Sequence, residues 1–194
     1  MKLRTMQLET AVIGSGAAGL RAAIALKELG RDSLMVFTDG LDRGTSLNAG
    51  SDKQTYYKLS LSGNRPDSVR DMALDLFCGG CVDGDQALPE AALSAYCFAF
   101  LCLLGVPFPK NEFGEYVGYI TDNDSRGRAS SAGPYTSRLM TEALRRRARA
   151  DNVMFSEGWQ LVKIFPGDRS CGKAHGLLFL DLNAAAERSR PTMR

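Results

Sequence analysis

Histidine is almost missing from this sequence, with His175 the only one in 194 residues. A serine or cysteine triad needs a histidine base held by an orienting acid, and a four-ligand zinc site needs several His or Cys at fixed spacing. His175, between Ala174 and Gly176 in an expected hairpin strand, provides neither and reads as an exposed strand residue. Cysteine is sparse as well. Cys78, Cys81, Cys97, Cys102 and Cys171 are odd in number, which does not suit a full disulfide framework. Cys78-Gly-Gly-Cys81 has no second CxxC to complete a metal site, so it reads as a loop at a helix end, with reduced thiols. The stretch "DNDSRG" at 122–127 opens like a calcium loop, but Arg126 stands at a ligand position and Gly133 where a bidentate Glu belongs. No metal is expected.

An excess of charge is also lacking. Lys and Arg number 24 against 22 Asp and Glu, a formal +2, so no large field draws the protein to nucleic acid or to an anionic membrane. Long hydrophobic runs are absent too: the most apolar, Ala91 to Leu104, is about 14 residues and includes Ser94 and Tyr96, whereas a span needs ~20. A buried helix is expected there, and no membrane span. No leader pattern opens the chain, because Leu8 to Ile13 belongs to the first strand. The expected location is the cytoplasm.

With 44% hydrophobic residues the chain can bury a core and fits one domain of roughly 100–200 residues. Ala11-Val12-Ile13 is a continuous apolar run, as in a parallel strand covered on both faces. A helix is predicted over Ala17–Leu29, with Ala22, Ala25, Leu26 and Leu29 on one face and Gly30 as its cap. "SLMVF" at 33–37 is a second strand, which completes a βαβ unit. The segment 38–57, dense in Gly, Asp, Ser and Asn, reads as a long functional loop. Further helices are predicted after Pro66 (Val69, Met72, Ala73, Leu76 and Phe77 on one face, closed by Gly79-Gly80), from near Pro89 to before Gly105, and after Pro134. The last carries Leu139, Met140, Ala143 and Leu144 inward and leaves Arg145, Arg146 and Arg149 largely in water. Strands at 153–155, 159–165 and 177–182 read as a parallel strand continuing into an antiparallel meander, with "PGDRSCG" as a turn. The expected fold is α/β, a Rossmann-like domain over 1–182 with a partly parallel sheet, a GxGxxG turn and the late meander. An irregular tail follows at 183–194.

Gly14-x-Gly16-x-x-Gly19 stands between the first strand and the first helix. There one glycine permits the turn, the second lets a pyrophosphate approach the backbone, and the third allows close helix–strand packing. The phosphates would meet the N–H groups of Ser15, Gly16, Ala17, Ala18 and Gly19 at the helix N-terminus. At the end of the second strand, where an acidic side chain usually takes the ribose hydroxyls, stand Thr38 and Asp39. Asp39-Gly40 also reads as a simple turn.

The extended series is specific. The glycines followed by Ala23, Leu26 and Gly30, then "RGTSLNAGS" at 43–51, "LGVPFPKNEFGEY" at 104–116 and "GPYTSRLMTEALRRRA" at 133–148 resemble, in order, the FAD-binding segment of the succinate dehydrogenase/fumarate reductase flavoprotein family, which includes L-aspartate oxidase. The resemblance covers about residues 8–182. It implies FAD as cofactor and hydride transfer between flavin and a small dicarboxylate-like substrate. Thr45, Ser46, Asn48, Ala49 and Gly50 are implied as contacts to pyrophosphate or flavin, and the backbone of Val162 as an adenine contact. Membrane-bound relatives carry a histidine joined covalently to flavin where this chain has Thr45, so non-covalent FAD is expected. Similar proteins continue for several hundred residues through a capping domain. The chain is therefore expected to be the N-terminal, truncated part of such an enzyme, with its dicarboxylate site and any redox partner subunit belonging to a longer form. No catalytic residue is named. The alternatives are a non-catalytic nucleotide-binding module and an L-aspartate oxidase-like enzyme. The loop at 44–51 argues against a nicotinamide-dependent dehydrogenase.

Overall fold

The computed structural model describes residues 4–51, 54–63, 65–167 and 172–183. In chain order its elements are β1 (Thr10–Ile13), α1 (Ala17–Glu28), β2 (Leu34–Thr38), α2 (Thr45–Asn48), β3 (Tyr56–Tyr57), α3 (Val69–Cys78), α4 (Gly84–Leu103), β4 (Tyr119–Thr121), β5 (Asp124–Ser130), α5 (Thr136–Ala150), β6 (Met154–Glu157), β7 (Trp159–Pro166) and β8 (Ala174–Asp181). They form two compact units: Met1–Asn48 with Leu144–Arg194, and Ala49–Ala143.

The first unit is built on a parallel sheet of order β1-β2-β6. Thr10 pairs with Leu34 and Ile13 with Phe37, while Met35 pairs with Met154 and Thr38 with Glu157. Leu20, Ala23 and Ile24 of α1, with Val12, Leu34 and Val36 of the strands, are buried and drive this assembly by removing apolar area from water. The helix ends as its sequence predicts. Gly30 takes φ +74°, its N–H bonds the Lys27 carbonyl, and the Arg31 N–H reaches the Leu26 carbonyl, a Schellman closure. Strands β7 and β8 form a separate antiparallel pair. It is tied to β2 by the stacked rings of Phe37 and Phe179, 4.6 Å apart. The mixed architecture, a parallel sheet followed by antiparallel strands, is the one expected.

The second unit holds an antiparallel sheet of order β3-β5-β4 and the helix pair α3 and α4. Phe98 of α4 is fully buried and packs its ring on Phe108 (4.6 Å), Tyr116 (5.2 Å) and Tyr56 (5.6 Å). Here the structure departs from the sequence reading: the segment 38–57, expected as one loop, includes β3. Helix α4 starts at Gly84, not near Pro89, because Asp83 caps it by accepting the Asp85 N–H at 2.9 Å. Pro89 lies inside the helix and costs one backbone bond. Nor is α4 buried all round: Ala87, Ala91, Ser94, Phe98 and Leu101 face inward, while Leu88, Leu93, Tyr96 and Leu103 are exposed. By length and composition alone it is apolar enough to cross a membrane. Finally, the rejected calcium-loop segment is a hairpin of β4 and β5. Asp124 is buried there and accepts the N–H of Arg128 at 2.9 Å.

Candidate dinucleotide site

The first unit carries the site. At the end of β1 the chain turns through Gly14 at φ +97°, a left-handed value open to glycine, and the Gly14 N–H bonds the Phe37 carbonyl at 2.8 Å. Ser15 then points inward. Its hydroxyl is 2.9 Å from that of Thr38, and both residues are buried. Gly16 caps α1 in extended backbone, φ −73° and ψ 178°, with no side-chain capping bond. A Cβ there would lie 3.2 Å from the Ser46 hydroxyl. A Cβ on Gly19 would overlap the Gly14 carbonyl.

The arrangement suits an anion. The first N–H groups of a helix have no intrahelical acceptor, and the α1 first turn contains no acidic residue. The Ala17 N–H meets the Ser46 hydroxyl at 3.3 Å, and Ala18 and Gly19 follow in the same turn. The helix dipole adds roughly half a positive charge there. A glycine with no Cβ at the helix start, helix N–H donors and a facing serine hydroxyl are what a pyrophosphate needs, so these residues fit the phosphate portion of a dinucleotide.

The two residues at the end of β2 take different places. The Thr38 hydroxyl accepts the Gly40 N–H at 3.3 Å and lies 3.2 Å from the Gly40 carbonyl, shaping the turn from a buried position. The Asp39 side chain is half exposed, with the Arg43 guanidinium 3.7 Å away. It is therefore the outward residue of the two, and it carries the carboxylate. Thr45 is exposed at the start of α2, and the Asn48 amide donates to the Asp42 and Gly44 carbonyls, both at 3.0 Å. Val162 falls between Leu161, opposite Phe179, and Lys163, opposite Leu178, and so is the extra residue of a β-bulge. Ala49 and Gly50 belong to the second unit. A Cβ on Gly50 would lie 3.4 Å from the Tyr135 ring, and the Ser51 N–H bonds the Pro134 carbonyl at 3.1 Å.

Sequence reading missed the supports of the 39–44 turn. The Leu41 N–H donates to the Glu157 carboxylate at 3.0 Å, and Arg145 donates to the Leu41 carbonyl at 3.1 Å and to Asp42 at 3.0 Å. Arg145 is thus not part of a solvated arginine face as expected. Arg146 and Arg149 are exposed as expected, while Arg147 pairs with Asp151 at 2.7 Å. Nothing in the spacing of the arginines distinguishes the one that turns inward.

The second unit has its own buried polar cluster. Arg128 of β5, fully buried, grips Asp67 with two bonds of 2.7 and 2.8 Å and reaches Asp75 at 2.7 Å and the Tyr57 hydroxyl at 3.0 Å. Burial alone would raise the Asp67 carboxyl, but Arg128 and the N–H groups of Ser60 and Ser68 outweigh it and hold it below the usual carboxylate range. Lys58 is also fully buried, 4.8 Å from the centre of the Phe98 ring, and desolvation lowers its ammonium. Every buried side-chain polar atom among the described residues has a partner, so the cluster reads as structural. An apolar groove of about 280 Å³ between α3 and α4, lined by Ala73, Leu74, Phe77 and Leu88, contains none of the candidate residues. Cys78 and Cys81 are exposed at the end of α3, and no metal-competent group of three ligands occurs among the described residues. His175 is exposed on β8, and Cys171 lies outside the described residues.

Comparison with known proteins gives the family and the fold. A family model described as FAD binding domain matches residues 9–189. Quinol fumarate reductase FrdA of E. coli superposes with a TM-score of 0.78 at 20% identity, over 92% of this chain and 30% of that one. Mycobacterium smegmatis Sdh1, solved in complex with UQ1, gives 0.75 at 19% identity, over 87% and 30%. The 3-ketosteroid dehydrogenase of Rhodococcus jostii RHA1, in complex with 4-androstene-3,17-dione, gives 0.71 at 15% identity, over 90% and 42%. This chain therefore spans 30% to 42% of the length of these three. No curated protein sequence matches significantly. With the family match running through the glycine turn, the 39–48 loop and the late hairpin, and with the fold shared by fumarate reductase and succinate dehydrogenase proteins as the sequence resemblance implies, the chain belongs to the FAD binding domain family.

Proposed function

We propose that these residues form the FAD-binding part of a flavin-dependent oxidoreductase of the fumarate reductase/succinate dehydrogenase type, which moves hydride between flavin and a small dicarboxylate-like substrate. The observation that carries the reading is the start of α1. Gly16 has no Cβ to stand against the Ser46 hydroxyl, 3.2 Å from where one would lie, and the Ala17 N–H and that hydroxyl meet beside it. In this reading the N–H groups of Ala17, Ala18 and Gly19 hold the pyrophosphate, with the Ser46 hydroxyl beside them. Asp39 takes the ribose hydroxyls through its exposed carboxylate, while Thr38 fixes the turn that presents it. The backbone of Val162 at the β7 bulge meets adenine, and Thr45 and Asn48 line the flavin end. Bound flavin supplies the two-electron chemistry, and the protein orients it. With Thr45 where covalent relatives have histidine, the flavin is held non-covalently.

Substrate, electron donor or acceptor and any partner subunit belong to the proposal for a whole protein. A second reading, a nucleotide-binding module without turnover of its own, is favoured by the commitment of the buried Arg128 to Asp67 and Asp75, which leaves it no substrate carboxylate to clamp. Equilibrium titration with FAD, followed by flavin fluorescence, tests both. FAD should bind and ADP should compete, because the named contacts lie on the adenosine and pyrophosphate. A chain that folds but binds neither overturns the site.

A further inference from the structure

We infer that Glu157 and Arg145 are positioning residues for FAD: together they fix the turn that carries Asp39 at one end and leads to Ser46 at the other. The inference rests on the FAD reading above. Glu157 ends β6 and is the register partner of Thr38 on β2, so its carboxylate lies at the edge of the sheet where β2 gives way to the turn. It accepts the Leu41 N–H at 3.0 Å. From α5 the Arg145 guanidinium, 19% exposed, takes the carbonyl of the same residue at 3.1 Å and the Asp42 carboxylate at 3.0 Å. Both backbone groups of Leu41 are thus held by side chains from distant parts of the chain, not by a strand or helix ladder. Its own side chain is anchored in the core at 9% exposure.

The brace continues toward the phosphate end. Asn48 donates to the Asp42 and Gly44 carbonyls, fastening α2 to the turn, and α2 presents Ser46 to the Ala17 N–H at 3.3 Å. Asp39 stands two residues before Leu41 and Ser46 five after it. A turn rich in Gly and Asp would otherwise sample many placements, and a ligand that selects one is weakened by the fraction of time the turn spends elsewhere. Neither Glu157 nor Arg145 is placed on the ligand itself.

The test compares FAD affinity with thermal stability in the full chain. Glu157→Leu should weaken FAD by about tenfold, the scale of one hydrogen bond to a charged group. Glu157→Gln should stay within about twofold, because its carbonyl oxygen still accepts the Leu41 N–H. In an Asp39→Asn background the effect of Glu157→Leu should shrink to about threefold, since one of the two groups it places has already been lost. A merely structural role predicts instead the same fold-loss in both backgrounds, and that additivity overturns the inference. An unchanged FAD affinity in Glu157→Leu overturns it as well. If Glu157→Leu does not fold, Arg145→Gln carries the same comparison, and the same outcomes decide it. Wild-type chain that takes up no FAD overturns the FAD reading together with this one. Titration of the wild type first therefore tells the two failures apart.

Discussion

Gly14, Gly16 and Gly19 answer to three different constraints, and only one of them concerns a ligand. Gly14 is needed for its backbone, at φ +97°. Gly19 is needed for packing, since a Cβ would overlap the Gly14 carbonyl. Gly16 is neither: its extended backbone suits any residue, and the only atoms within 4 Å of an added Cβ belong to the Ser46 side chain, its hydroxyl at 3.2 Å. What a side chain there would block is the approach to the helix N–H groups. Gly16→Val should therefore keep its circular dichroism spectrum and melting temperature within a few degrees while losing FAD affinity by about a hundredfold or more. Unchanged affinity would remove the pyrophosphate from this turn. Gly19→Ala should behave in the opposite way. It forces β1 and α1 apart at a cost of about 1–3 kcal/mol, read as a lower urea midpoint, before any question of ligand arises.

At the scale of the element, β5 shows how a strand with little apolar character is held. "DSRGRAS" offers almost nothing to a hydrophobic core, yet Arg128, Ala129 and Ser130 are buried, because Arg128 is paired with Asp67 and Asp75. Removing a partner from such a cluster leaves an uncompensated buried charge, at a cost on the order of 3 kcal/mol. The pairing also sets a pH dependence. Asp67 titrates lower in the folded chain than in the unfolded one, so its contribution is complete above the unfolded value of about 3.9 and is lost as pH falls through the folded value. Wild-type protein should lose more stability between pH 5 and pH 3 than Asp67→Asn, as measured by urea midpoints at each pH. Equal losses would show that the ion pair contributes nothing. This cluster also marks the limit of what could be read from the chain. β1, α1 and β2 are legible because apolar period, glycine spacing and caps agree locally. β5 is not, since its burial depends on charges paired across about 60 positions, Arg128 with Asp67. The start of α4 was hidden by Pro89, which outweighs the Asp83 cap in any local reading. In the site, the glycines and the loop composition were legible. The Glu157 and Arg145 contacts were not, because they join side chains more than 100 positions from the turn, with no periodic signal.

On the scale of the whole molecule, FAD binding and turnover are separate demands. No histidine occurs between 43 and 51, and the only one in the chain is exposed on β8. Any bound flavin should therefore leave on acid or heat denaturation, and fluorescence that stays with the protein band on a denaturing gel would overturn non-covalent attachment. Turnover asks for more. Flavin, substrate and proton donor must be held in near-attack geometry with water excluded, and a displacement of about 1 Å can cost on the order of a hundredfold. The buried arginine that could clamp a carboxylate, Arg128, is committed to Asp67 and Asp75, and Lys58 is sealed under the Phe98 ring. A polypeptide of these 194 residues alone, 92% of which covers 30% of FrdA, should thus bind FAD without reducing fumarate or oxidising succinate or aspartate at a catalytic rate. The assay is purified chain with excess FAD, reduced viologen dye and fumarate, with free FAD as the reference. A rate indistinguishable from free flavin is expected. A rate well above it would place the proton donor and the carboxylate clamp among these residues, with the exposed arginines of α5 the first to be substituted.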